Sequence, residues 1–148
     1  MINSEIKATG RLSVILKDTD GTVKEERSIE NLVVTTGLEF IASRMKDATD
    51  TAMGYMAVGT GTTAAAAGDT TLGTELDRNA LTSTTVTSNE IAYVASWAAG
   101  DGTGAITEAG LFNAASGGDM LARTVFDVVN KAANDTLSIT WTITLSAS

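Results

Sequence analysis

Few side chains in this chain are of a type that does chemistry. It has neither His nor Cys. That removes imidazole acid–base catalysis, thiolate nucleophiles, disulfides and most zinc sites. The remaining candidates are carboxylates, glycines and aromatics. Asp18 and Asp20 sit two apart in Asp18-Thr19-Asp20-Gly21, a spacing that suggests calcium. An EF-hand loop needs more ligands and a Glu at its twelfth position, and the pattern reads instead as an Asx-type turn. Glu75 and Glu108 are a conceivable glycosidase pair, which would have to flank a cleft at about 5–9.5 Å. Gly59 and Gly61 suggest a phosphate-binding loop, but the third Gly, or the Lys followed by Ser or Thr, is missing. Tyr93, Trp97 and Trp141 would stack sugar rings if exposed, and pack a core if buried. No catalytic, cofactor-binding or metal-binding residue is assigned, and no cofactor is expected.

These residues must be positioned by strands. Thr is abundant, with 24 residues beside 14 Gly and no Pro, and β-branched Thr suits pleated, half-exposed surfaces. The strongest hairpin signal is Ala105 to Phe126. Ile106, Glu108, Gly110 and Phe112 share one face by period two, with Thr107, Ala109, Leu111 and Asn113 on the other. Ala114 to Asp119 makes the turn, and the return strand from Met120 has Arg123 as its only charge. Glu5 to Leu16 alternates, turns at Asp18–Gly21 and returns from Thr22 to Val34, whose charged start suits an edge. Asn79–Thr87 and Glu90–Ala98 form another hairpin about Ser88-Asn89. Leu137, Ile139, Trp141, Ile143 and Leu145 alternate with Ser138, Thr140, Thr142, Thr144 and Ser146, predicting one buried and one hydroxyl-lined face. Thr74 to Arg78 reads as a single helical turn.

One helix is predicted, from about Gly37 to Asp47. Thr36 and Glu39 form a capping box, and Leu38, Ile41, Ala42 and Met45 fall on one stripe. That stripe is expected to pack on the sheet. About eight antiparallel strands and one short helix predict a mainly β protein, an antiparallel β-sandwich of jelly-roll style. At 148 residues the chain is read as a single domain spanning residues 1–148.

The formal charge is −8. Residues 1–47 hold 7 basic and 8 acidic side chains; the remainder hold 3 and 10. Such a surface repels phosphate backbones, so nucleic acid is not an expected partner. No apolar run is long enough to span a bilayer and no signal peptide is visible, so synthesis in the cytoplasm and no membrane partner are expected.

The phrase Ile106-Thr107-Glu108-Ala109-Gly110-Leu111-Phe112-Asn113, a glycine turn and Met120-Leu121-Ala122-Arg123-Thr124-Val125-Phe126 resembles small structural proteins of tailed bacteriophages. So do Met56 to Thr63, Thr71 to Leu76 and Asn31 to Thr35; tail-collar fibre domains carry similar phrases. The resemblance implies a non-enzymatic virion component, made in the bacterial host cytoplasm. Its expected partners are copies of itself and a major capsid or tail protein. A capsid decoration, or cement, protein and a small tail-fibre or collar module both fit, and the absence of a fibrous extension favours decoration. A carbohydrate-binding module and an enzyme stand as further alternatives.

The candidate functional segment is Gly59 to Gly73. Its inner positions include Thr60, Gly61, Thr62, Thr63, Ala64, Ala65, Ala66 and Ala67, and offer only Leu72 as a large apolar side chain. Ordering each residue costs roughly 1–2 kcal/mol. The segment is therefore expected to be an assembly arm, mobile in the monomer and fixed by a neighbour, with a solvated surface loop of no further role as the alternative.

Overall fold

The computed structural model describes residues 5–147. Nine strands and one helix run β1 (Ile6–Lys17), β2 (Val23–Val33), α1 (Thr35–Lys46), β3 (Tyr55–Gly59), β4 (Glu75–Ala80), β5 (Ser83–Thr87), β6 (Glu90–Trp97), β7 (Gly104–Phe112), β8 (Met120–Lys131) and β9 (Thr136–Ala147). They form one sheet in the order β4-β3-β7-β8-β2-β1-β9-β6-β5, with every pairing antiparallel. The mainly β expectation holds at this level. The expected sandwich of jelly-roll style does not follow from the strand order: the hydrogen bonds describe a single nine-stranded sheet curled into a half-barrel.

The curl has an identifiable hinge. β2 pairs with β1 along most of its length but with β8 only at Leu32↔Arg123 and Val33↔Ala122. The two parts of the sheet are therefore joined by a short ladder and can turn toward each other. Leu12, Val14, Tyr93, Trp97 and Trp141 from one part meet Met56, Val58, Leu111, Ala122 and Val129 from the other in one core. β9 behaves as its alternation predicts, with Leu137, Ile139, Trp141 and Ile143 buried and Ser138, Thr140, Thr142 and Thr144 half-exposed on the opposite face.

Two strands differ from the sequence reading. Glu75–Ala80 is β4, an edge strand on β3, where a helical turn was expected, and the strand read over Asn79–Thr87 is divided, with Asn79 and Ala80 ending β4 and Ser83–Thr87 forming β5. In the β7–β8 hairpin the pairing is irregular between Ile106 and Glu108. Strict alternation fails there: Ile106 joins the main core with Ala109 and Leu111, while Glu108, Gly110 and Phe112 turn outward.

The helix corrects the predicted stripe. It begins at Thr35 with Val34 at the N-cap and no side-chain cap, so the Thr36–Glu39 capping box is absent. Leu38 is 51% exposed and Met45 78% exposed; the buried positions are Gly37 and Phe40, with Ile41 packed against the core. The cause is Gly37. A Cβ there would overlap the Leu121 carbonyl oxygen, so this face alone can lie flush on β8. Its neighbours at i+3 and i+4, Phe40 and Ile41, then turn inward.

Candidate functional site

The segment between β3 and β4 lies over the outward face of β3, β7 and β8. It is fixed from within the chain. Glu108 on β7 is fully buried, and its two carboxylate oxygens accept from the backbone N–H of Gly61 at 2.6 Å, Gly73 at 2.7 Å and Thr74 at 2.8 Å. Arg123, opposite Gly110 on β8, donates Nε and Nη2 to Glu108 Oε1 at 3.2 and 3.0 Å. The same guanidinium reaches into the segment. It donates Nη2 to the Thr63 carbonyl at 2.9 Å and Nη1 to Asp69 Oδ2 at 2.8 Å. Thr107 Oγ1 donates to the Gly61 carbonyl at 2.7 Å.

The glycines make this approach feasible. A Cβ on Gly61 would overlap Glu108 Oε2, and one on Gly59 would overlap the Thr74 carbonyl. The loop that suggested a phosphate cradle thus wraps its N–H groups round an internal carboxylate. Burial raises the Glu108 carboxyl, but the N–H groups of Thr74 and Gly73, the Arg123 guanidinium and the N–H of Gly61 outweigh it, holding the group below its ordinary value. Asp69 is also held low, first by the Ala66 N–H and then, against some burial, by Arg123.

An apolar contact completes the attachment. Leu72 is buried with Phe112, Met120, Ala57 and Val34 in a small second core. The far end of the segment reaches the helix, where the Ala67 carbonyl accepts from the Thr35 N–H at 2.8 Å. That satisfies one of the donors every helix N-terminus leaves open. The expectation of an outside contribution to ordering is met by Glu108, Arg123 and this second core, so a neighbouring subunit is not required for it. What the segment presents outward is small: Thr60, Thr62, Thr63, Ala64, Ala66 and Ala67 are exposed, Ala65 half-buried, and Gly61 and Leu72 buried.

Sequence reasoning missed Glu108 and Arg123 as partners. A signal was present: each is the only residue of its charge sign in a strand otherwise apolar, small or hydroxyl-bearing up to Phe126. Such lone opposite charges on paired strands are more economically satisfied by each other than by solvent.

The other candidates resolve individually. Glu75 pairs at the surface with Arg78 at 2.6 Å, while the Glu108 carboxylate is wholly engaged by its five donors. Tyr93, Trp97 and Trp141 lie in the main core, so no sugar ring reaches them and the carbohydrate-stacking reading loses its residues. Asp18 Oδ1 accepts from the N–H groups of Asp20 and Thr22, the expected turn geometry. A second buried charge group forms at one end of the barrel. Asp135 binds Lys24 at 2.7 Å and the Ala132 N–H, and buried Lys131 donates to the Ala98 carbonyl at 3.0 Å. Burial pulls the Lys131 ammonium below its ordinary value, against nearby Asp135, Asp101 and Asp77.

Two clefts flank Asn31. One, about 340 Å³, opens where β2 leaves β8, with Thr62 and Ala64 of the segment on its rim and Arg123 in its wall. The other, about 530 Å³, lies on the outward face of β2, β1, β9 and β6, with Arg11, Glu30, Glu90, Thr142 and Thr144 around it. No protein-family model, no curated protein and no solved structure matches this chain.

Proposed function

We propose that the chain is a non-enzymatic structural component of a tailed-bacteriophage particle, acting through protein–protein contacts as a capsid decoration or cement protein. The resemblance of the β7–β8 phrase to such proteins suggests the class. The observation that carries the reading is the state of the 59–73 segment. It is an exposed strip of Thr and Ala held on a buried ion pair, so much of its ordering cost is met before any partner arrives. Preorganisation of this kind raises affinity without adding contacts. Small side chains also let a partner backbone come close, with Thr hydroxyls available to hydrogen-bond across the contact.

In this reading the partners are a major capsid protein and further copies of the chain. A small tail-fibre or collar module is the second reading, favoured by the likeness to tail-collar fibre phrases. The test is to image purified particles of the phage encoding the chain. Density shaped like the half-barrel on the head exterior supports decoration, and density on the tail supports the appendage reading. Absence of the chain from purified particles by mass spectrometry overturns both. Within the reading, Ala64→Glu combined with Ala66→Glu places charge on the exposed strip without removing any bond that fixes it. The expected result is a normally folded protein with reduced particle occupancy.

A further inference from the structure

The two edges of the sheet are treated differently. At one edge, β4 carries Glu75, Asp77 and Arg78, and its register with β3 shifts at Val58/Gly59. Arg78 lies over the Phe112 ring and donates to the carbonyls of Ala114 and Gly117, while Asn79 Nδ2 donates to the Ser96 carbonyl. Charge, irregularity and side-chain cover are the devices by which sheets protect an edge.

The other edge, β5, shows none of them among the described residues. Ser83, Thr84, Thr85, Val86 and Thr87 are all exposed, Val86 at 68%. Their pairing with β6 runs without a shift from Ser83↔Val94 to Thr87↔Glu90. The turn that follows is pinned, since Asn89 Nδ2 donates to the Leu145 carbonyl and the Leu145 N–H donates to the Asn89 carbonyl. Residues 80–89 contain no charged side chain and no Pro, in a chain of net charge −8. A regularly paired, uncharged edge strand with one row of backbone groups that no described strand pairs is a template for another strand.

We infer that β5 is a self-association edge, pairing antiparallel with β5 of a second copy about a two-fold axis through Thr85. The occupant follows from charge and sequence. Two copies of net charge −8 repel overall, and this uncharged edge lets them meet without opposing like charges. Antiparallel pairing centred on Thr85 sets Ser83 against Thr87 and Thr84 against Val86. Hydroxyls then meet on one face, and a Val methyl meets a Thr methyl on the other. The contact is isologous, as a two-fold dimer requires, and joins the two sheets without disturbing the 59–73 segment. It does not depend on the virion reading, since the edge is the same wherever the protein resides.

The test is sedimentation of the full chain up to about 1 mM, because a five-residue ladder buries little area and such contacts are weak. Wild type is expected to show a concentration-dependent dimer. Thr85→Lys and Thr85→Glu each place like charges directly opposite across the axis, where they destabilise. Each variant should weaken the dimer by roughly tenfold or more, with an unchanged far-ultraviolet spectrum, the site being exposed. A 1:1 mixture of the two variants should recover the dimer, because opposite charges then face each other. A wild-type chain that stays monomeric over this range overturns the inference. So does a dimer indifferent to both variants, or a loss of dimer that the mixture fails to restore.

Discussion

The two parts of the curled sheet share one core, but their outward faces have opposite characters. The face of β3, β7 and β8 is covered by the 59–73 segment, with Glu108, Arg123 and Leu72 sealed beneath it. The face of β2, β1, β9 and β6 has no such cover among the described residues, and presents Ser13, Ser28, Ser138, Thr140, Thr142 and Thr144. The difference follows from side-chain chemistry. Hydroxyls are satisfied by water and need no lid. A carboxylate and a guanidinium placed side by side in an apolar hairpin need donors and acceptors beyond each other, and the loop backbone supplies them.

Charge distribution sharpens the contrast. All three basic side chains of residues 48–148 are largely buried: Arg78 against Phe112 and Glu75, Arg123 under the segment, and Lys131 at the barrel end. The cations of this stretch hold structure together, while most of its carboxylates remain at the surface.

The largest effect should come from breaking the ion pair under the covered face. Arg123→Met leaves Glu108 buried without its cation, and the expected loss is about 3–5 kcal/mol in chemical denaturation. The equivalent change on the open face, Arg11→Met, should stay within about 0.5 kcal/mol. Next comes the apolar anchor: Leu72→Ala should cost about 2–4 kcal/mol, as buried large-to-small changes do. A loss near zero would show that the segment rests on polar contacts alone.

Acid should act on the covered face. The Glu108 carboxyl is held below its ordinary 4.5 in the folded protein. Its stabilising contribution is therefore fully present above that unfolded value and disappears as pH falls through the lower folded one. Asp69 adds in the same direction. Stability measured from pH 7 downward should fall less steeply in Glu108→Gln than in wild type; equal slopes would remove Glu108 as the titrating group. The smallest effects belong to exposed positions. Thr142→Ala on the open face and Leu38→Ala on the helix should each change stability by less than about 0.5 kcal/mol.

Most strands were legible because period-two patterning reports a half-buried face directly, as in β9 and in β1 from Leu12 to Leu16; β4, a charged edge strand without that alternation, was not. The hairpin turns at Ser88-Asn89 and Ala114–Asp119 were legible from turn chemistry. The helix face was not. Hydrophobicity pointed to Leu38 and Met45, whereas close approach to the Leu121 carbonyl selected Gly37, a residue with no apolar side chain to reveal it. The curl was hidden because it depends on β2 pairing with β8 at two positions, a long-range fact without local signature. The bonds that hold Thr60 to Leu72 from within the chain were hidden for a related reason. Counting apolar bulk inside the segment overlooked a charged pair some 35 to 60 residues further along the chain.

The most direct test of this contrast is amide hydrogen exchange on the isolated monomer, followed residue by residue. The N–H groups of Gly61, Gly73 and Thr74, bonded to Glu108, and of Thr35, bonded to Ala67, should be protected well beyond exposed-loop rates without any partner. Protection of the first three should collapse in Arg123→Met. Exchange at unstructured rates in the wild-type monomer, with protection appearing only on assembly, would contradict an internally fixed segment and restore a neighbour as the element that orders it.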